Sequence, residues 1–486
     1  MTADQLEEQR QRLTAAGQAQ ALRWWDELDS SGRARLAAQT SRIDLEQLGR
    51  LVREWQATQS QLPTDSAAGA EPDSRGSRDS PGSRAARAQP PSDLVRLPQN
   101  EAEQAAAAEA WQAGEELLRA GRVAGVLVAG GQGTRLRFDR PKGMYPIGPV
   151  SGATLFQLLA EQMLARSRRY EVAIPWLIMT SDATHEETVA YFAEQKNFGL
   201  EDSQIHFFRQ GNMPAVDDRE GRLLLSEKDS LCLSPNGHGG ILSALADSGL
   251  MTLLAEQGID FLHYHQVDNP TAVLCDPALL GWHVLRESEM TTKVAARRSG
   301  MERMGVVADV DGQTQIIEYS DMPREAATRT DEAGRLLLWA GNMAIHVLSR
   351  TFLERLLSQP DALPLHVAHK AVEHLDDAGN CVVPAGPNAL KFERFIFDAL
   401  PQARRALVVE VDRAAEFNPV KNCEGTDTPA ESQAGMLQLH RRWLEEAGAR
   451  VAKTARVEIS PLFALDAAET RQRVEPGTSI AEDCRL

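Results

Sequence analysis

The apolar run Val123–Ala129 stops abruptly at Gly130-Gly131-Gln132-Gly133-Thr134-Arg135, and Pro141 and Lys142 follow within a few residues. The run predicts a buried strand, and the glycines at its end predict a turn. With no Cβ in the way, the backbone N–H groups of such a turn can approach an anion closely. Arg135 and Lys142 would then neutralise the charge that the turn receives. Two familiar phosphate loops do not fit. A P-loop needs Gly-Lys-Ser/Thr after four intervening residues, and none occurs here. A dinucleotide fingerprint needs a third glycine, where position 136 is leucine.

Further apolar runs occur at Trp176–Thr180, Ile205–Phe208, Phe261–Gln266 and Thr292–Ala296, with amphipathic stretches such as Thr154–Arg168 and Thr184–Lys196 between them. This alternation predicts an α/β fold with a mostly parallel sheet. Ligands of such sheets bind at the carboxyl ends of the strands, where the glycine turn falls. At 486 residues the chain is too long for one ordinary core. Residues 1–60 read as a helical segment, with Leu6, Leu13, Leu22, Trp24, Trp25 and Leu28 near helical spacing. Residues 61–95 are rich in Ser, Pro, Gly, Ala, Asp and Arg, which predicts a disordered linker. A large α/β domain is expected over 96–420, and a short C-terminal part with a helix at Gln433–Ala447 over 421–486.

The net charge of −17 argues against a nucleic-acid-binding or anionic-membrane surface, although a local basic cluster could still hold a small polyanion. No apolar run is long enough to span a bilayer, and the polar N-terminus is unlike a secretory signal. The five cysteines lack Cys-x-x-Cys spacing, so neither a zinc site nor a disulfide framework is indicated, and a cytoplasmic location is expected.

Ten blocks occur in order: the glycine turn with PKGMYPIG, then PWLIMTS, FFRQGNMPA, PNGHGGILSAL, HQVDN, IEYSDM, AGNMAIH, LKFERFIFDAL, EFNPVKN and VEISPL. Together they resemble the UDP-sugar pyrophosphorylases, and most of all the eukaryotic-type UDP-N-acetylglucosamine pyrophosphorylases. The resemblance implies a Rossmann-like, GT-A-like nucleotidyltransferase domain flanked by smaller N- and C-terminal parts. It implies a reaction in which UTP and a sugar 1-phosphate give a UDP-sugar and pyrophosphate, with Mg2+ as cofactor. By the same resemblance, Gly130, Gly131, Gly133, Thr134, Gln210 and Gly237 would hold UTP, with Gln210 reading the uracil through its amide. Arg135, Lys142 and Lys421 would act on the phosphates. Asp268 would bind the metal, and His238, Gly239, Glu318 and Asn342 would line the sugar pocket. His185, His263 and His369 fall outside these blocks and read as structural or exposed.

The reaction fits the absence of a nucleophile–base constellation. A sugar phosphate is largely anionic near neutral pH, since its second pKa is about 6. It therefore needs positioning and charge cancellation rather than a strong base. Two departures from the family pattern stand out. Arg137 replaces the usual small glycine, either adding charge near the triphosphate or pointing away. His238 stands where the N-acetylglucosamine enzymes carry asparagine, whereas UDP-glucose enzymes carry Gly-His-Gly. N-acetylglucosamine 1-phosphate is thus the first-choice substrate and glucose 1-phosphate the second. A catalytically silent UDP-sugar-binding protein is a further alternative, disfavoured by the joint presence of Arg135, Lys142, Asp268 and Lys421.

Overall fold

The computed structural model describes residues 3–60, 81–359 and 362–486, which form two compact units. The first combines the N-terminal helices with Gln210–Gly240 and Leu363–Ile396. Helices Ala3–Ala15, Ser30–Ser41 and Leu45–Ser60 present apolar faces that cannot remain in water. Leu13, Leu36, Leu48 and Val52 bury those faces, with Trp24 and Trp25 of the intervening link, in one cluster with Val216, Leu390 and Phe392. The N-terminal helical segment therefore shares its core with segments more than 150 residues away in sequence.

The second unit is built on a mixed, ten-stranded sheet. Its strands are β1 Leu94–Val95, β2 Val123–Val128, β3 Trp176–Thr180, β4 Ile205–Arg209 and β5 Phe261–Gln266. They continue as β6 Met290–Ala296, β7 Val306–Val310, β8 Gln313–Ile317, β9 Ala340–Ser349 and β10 Ala406–Glu410. The main order is β1-β10-β6-β9-β5-β2-β3-β4, with the β7–β8 hairpin attached to β9. All neighbours on this path pair parallel except β9, which runs antiparallel between β5 and β6. The α/β expectation holds, and so do the helices at Leu155–Tyr170, His185–Glu194 and Pro429–Glu446. The last begins with Thr428 and Glu431 in a reciprocal capping box.

The expected disordered linker needs correction over its second half. Residues 61–80 lie outside the described residues, but Pro81–Arg87 is a helix and Leu94–Val95 joins the sheet beside β10. Between them Gln89 and Asp309 exchange backbone hydrogen bonds of 2.8 and 2.9 Å. The physical reason is small-residue packing. Ala85 and Ala88 are wholly buried against Val306, Ala308, Val310 and Ile317 of the hairpin. A composition poor in large apolar residues hides a segment that packs by close approach.

Candidate active site

Strands β2 and β5 pair parallel with Gln266 opposite Val128, so the two chains leave the sheet at the same edge. One continues into the glycine turn and the other into Val267-Asp268-Asn269. The turn is a tight hairpin: Lys142 N donates to Gly131 O at 3.1 Å, and Gly133 N donates to Arg140 O at 3.0 Å. The Ser181 hydroxyl holds the Gly130 carbonyl at 2.7 Å. Thr134 opens a short 3-10 turn that carries Arg135 on its exposed side.

The hairpin aims Lys142 inward. Its Nζ lies 3.3 Å from Asp268 Oδ2, and both side chains are largely buried. A third segment joins from the C-terminal side. Val420 N donates to Asp268 O at 2.8 Å, and Cys423 N donates to Arg135 O at 3.0 Å, so Lys421 is delivered between them. Asn269 works as the turn that its Asn-Pro sequence suggests, donating to Glu416 O at 2.7 Å and accepting from Asn418 N at 3.2 Å. Burial pushes the Asp268 carboxyl up, but Lys142, then Lys421 and Arg135, outweigh it and hold it below the ordinary aspartate range. These four charges enclose, with the glycine turn, a cavity of about 190 Å3.

Gly133 and Gly131 of the turn differ in what they do. A Cβ at Gly133 would come within 2.6 Å of Phe138 O, so the hairpin itself requires glycine there. A Cβ at Gly131 would meet nothing within 4 Å, and its φ lies outside the left-handed region. The fold does not need glycine at 131, yet the residue lines the cavity, which suits close approach by a ligand. Gly131→Val is therefore expected to leave the melting temperature nearly unchanged and to weaken UTP binding by about tenfold or more. Isothermal titration with UTP checks this; an unchanged Kd would remove Gly131 from the binding surface.

Glu318 and Asn342 meet at Gly305, on the hairpin side of the same unit. Asn342 N donates to Gly305 O at 2.8 Å, and a Cβ on Gly305 would stand 2.9 Å from the Glu318 carboxylate. Asn342 pairs with Val294 near the carboxyl end of β6. Arg137 points away from the cavity: its guanidinium binds Glu424 at 2.7 Å, with both side chains exposed.

Gln210, Gly237, His238 and Gly239 belong to the first unit. Gln210 is buried there. Gly237 and Gly239 pack so tightly on the Arg394–Phe395 backbone that a Cβ would come within 2.4 and 2.6 Å of it. His238 stacks on Phe395 and accepts from Ile396 N at 3.3 Å through Nδ1. Burial, with His366 nearby, pulls its pKa down to about 4, so the ring is neutral near pH 7. His263 is fully buried, His185 bonds Thr180, and His369 bonds Asp218, in keeping with structural roles.

Sequence reasoning missed a buried cluster beneath the Asp268 turn. Lys293 on β6 is fully buried, 2.6 Å from Asp276 Oδ2 and in contact with the Glu416 carboxylate. Burial works against its charge, but Asp276 and Glu416 hold it protonated. Glu416 also supplies the carbonyl that anchors Asn269, so this cluster braces the turn carrying Asp268. A lysine inside the apolar run Thr292–Ala296 was the available signal.

The family model described as UTP--glucose-1-phosphate uridylyltransferase matches residues 86–475. The chain belongs to this uridylyltransferase family. It is 35% identical over 454 residues to the human UDP-N-acetylhexosamine pyrophosphorylase-like protein 1, covering 91% of this chain and 86% of that protein. It is 38% identical over 361 residues to the UDP-N-acetylglucosamine pyrophosphorylase of Saccharomyces cerevisiae, covering 72% and 76% of the two chains. Among solved structures, the uridine diphosphate N-acetylglucosamine pyrophosphorylase of Trypanosoma brucei superposes with a TM-score of 0.80 at 24% identity, covering 99% of each chain. That last likeness concerns the fold. The uridylyltransferase family match spans the glycine turn, the Asp268 turn and Lys421, the three segments that the second unit brings together.

Proposed function

We propose that this chain transfers a uridylyl group from UTP to a hexose 1-phosphate, with N-acetylglucosamine 1-phosphate preferred, giving a UDP-sugar and pyrophosphate. The observation that carries the reading is the meeting of Arg135, Lys142, Asp268 and Lys421 around an open glycine turn at the carboxyl edge of the sheet. A phosphate oxygen of the sugar 1-phosphate attacks the α-phosphorus of UTP. The new P–O bond forms as the bond to the β-phosphate oxygen breaks, and pyrophosphate leaves with that electron pair. Two anions must approach each other for this, so cancellation of charge is the main demand. Lys142, Arg135 and Lys421 meet that demand, and the Gly131 backbone admits the triphosphate.

Asp268 fits Mg2+. It is an ionised hard-oxygen donor at the cavity, and a single carboxylate leaves the remaining positions to phosphates and water, as Mg2+ prefers. The metal, when bound, adds further neutralisation of phosphate charge. Glu318 and Asn342 are the groups proposed to hold the sugar, and Gln210 the group proposed to read uracil.

Preference for N-acetylglucosamine 1-phosphate rests on the Saccharomyces cerevisiae relative above, which carries that sugar in its name. A pocket that satisfies an acetamido group leaves polar atoms unpaired with glucose, at about 1–3 kcal/mol for each. The expected kcat/KM ratio over glucose 1-phosphate is about tenfold or more. Pyrophosphate release from UTP and each sugar 1-phosphate measures it. An equal or inverted ratio would favour the UDP-glucose reading, to which the family description and His238 lend support. No described helix is long and apolar enough to cross a membrane. All five cysteines are unpaired, and we place the protein in the cytoplasm on that ground.

A further inference from the structure

A larger cavity, of about 680 Å3, opens beside the glycine turn and shares Arg135 and Lys421 with the first. Its opposite wall is the loop after β6, which contributes Arg298 and Arg303. In a chain with a net charge of −17, four cations converging on one cavity is a strong local reversal. The acids nearby are already engaged. Glu302 binds Arg413 at 2.5 Å and accepts from Arg298 N at 2.7 Å. Glu424 pairs with Arg137 at 2.7 Å, and Asp427 lies 3.6 Å from Lys421. Among the described residues, Arg135, Arg298 and Arg303 have no carboxylate partner at ion-pair distance.

The loop is braced, so these arginines stand on a fixed base. Glu302 N donates to Ser299 O at 3.2 Å, Met304 N donates to Glu302 O at 2.9 Å, and Met304 is buried. Guanidinium groups gathered without counter-charges repel one another, and an anion with several oxygens relieves that repulsion through charge-assisted hydrogen bonds. A phosphate monoester would find enough charge in Arg135 and Lys421. Two further arginines suit a more highly charged, longer anion.

On the uridylyltransferase reading above, we propose that Arg298 and Arg303 form a pyrophosphate site: they hold the β- and γ-phosphates of UTP before transfer and free pyrophosphate after it. The test is titration of inorganic pyrophosphate, with Mg2+ present, into the full chain and into Arg298→Ala/Arg303→Ala. The expected result is a Kd raised about tenfold or more, with a shallower dependence on salt. The Kd for N-acetylglucosamine 1-phosphate should move less than about twofold. Arg298→Lys/Arg303→Lys should keep most of the pyrophosphate affinity, which separates loss of charge from loss of structure. An unchanged pyrophosphate Kd in the alanine variant overturns the proposal. A selective loss of sugar phosphate binding overturns it too, because that would place the sugar phosphate in this cavity. Pyrophosphate binding that depends on both arginines, in a protein without uridylyl transfer, would defeat the functional reading and leave this site standing.

Discussion

Lys142→Ala is expected to lower kcat by about a hundredfold or more at saturating UTP and sugar 1-phosphate, comparable with loss of one donor to a developing oxyanion. Lys142 is buried at the centre of the cavity, on a hairpin pinned by its own backbone bond to Gly131. In the proposed reaction, a cation so placed would act where charge develops on the leaving oxygen. The substitution has a second signature. Lys142 is the largest influence lowering the Asp268 pKa, so its removal lets burial raise that pKa. The acid limb of the pH–rate profile should therefore move to higher pH, because the proposed cation site needs Asp268 ionised. Steady-state rates from pH 5 to 8 check both effects. Near-normal turnover with an unshifted profile would take Lys142 out of the mechanism.

The largest effect on stability is expected from Lys293→Ala. The wild-type ammonium compensates two carboxylates, buried Asp276 and largely buried Glu416, and its loss leaves them facing each other without a counter-charge. Breaking a buried pair in this way costs about 3–5 kcal/mol. Urea unfolding measures the loss. Neutralising the carboxylates in the same background, with Asp276→Asn and Glu416→Gln, should recover much of it. Asparagine can also keep the cap that Asp276 provides to Ala278 N at 3.0 Å. A single-variant cost below about 1 kcal/mol would mean that water or another group compensates the carboxylates.

Much of the second unit was legible because its signals are local. Apolar runs marked β2, β3, β4, β5 and β6, and the glycine turn falls at the end of β2. The direction of β9 was not legible. AGNMAIH reads as apolar in any orientation, and its antiparallel course depends on partners in β5 and β6. Residues 81–95 misled for a different reason: alanine contributes little apolar bulk, yet Ala85 and Ala88 are wholly buried against the hairpin. The convergence of Lys142, Asp268 and Lys421 came from the block resemblance, since spacing along the chain says nothing about their meeting. His238 makes contacts that its motif did not announce. Its motif pointed to the sugar pocket, while its visible contacts are with Phe395 and Ile396, residues that motif reading had not connected to it.

The central claim is transfer of a uridylyl group to a sugar phosphate, and phosphorus NMR tests it most directly. The full chain is mixed with UTP, Mg2+ and N-acetylglucosamine 1-phosphate, and the spectrum is followed in time. The expected result is loss of the UTP and sugar phosphate signals in step, with paired growth of a UDP-sugar diphosphate and free pyrophosphate. Addition of pyrophosphate to the product mixture should drive the signals back. Release of inorganic phosphate instead, or a static spectrum although UTP binds, would contradict the assignment.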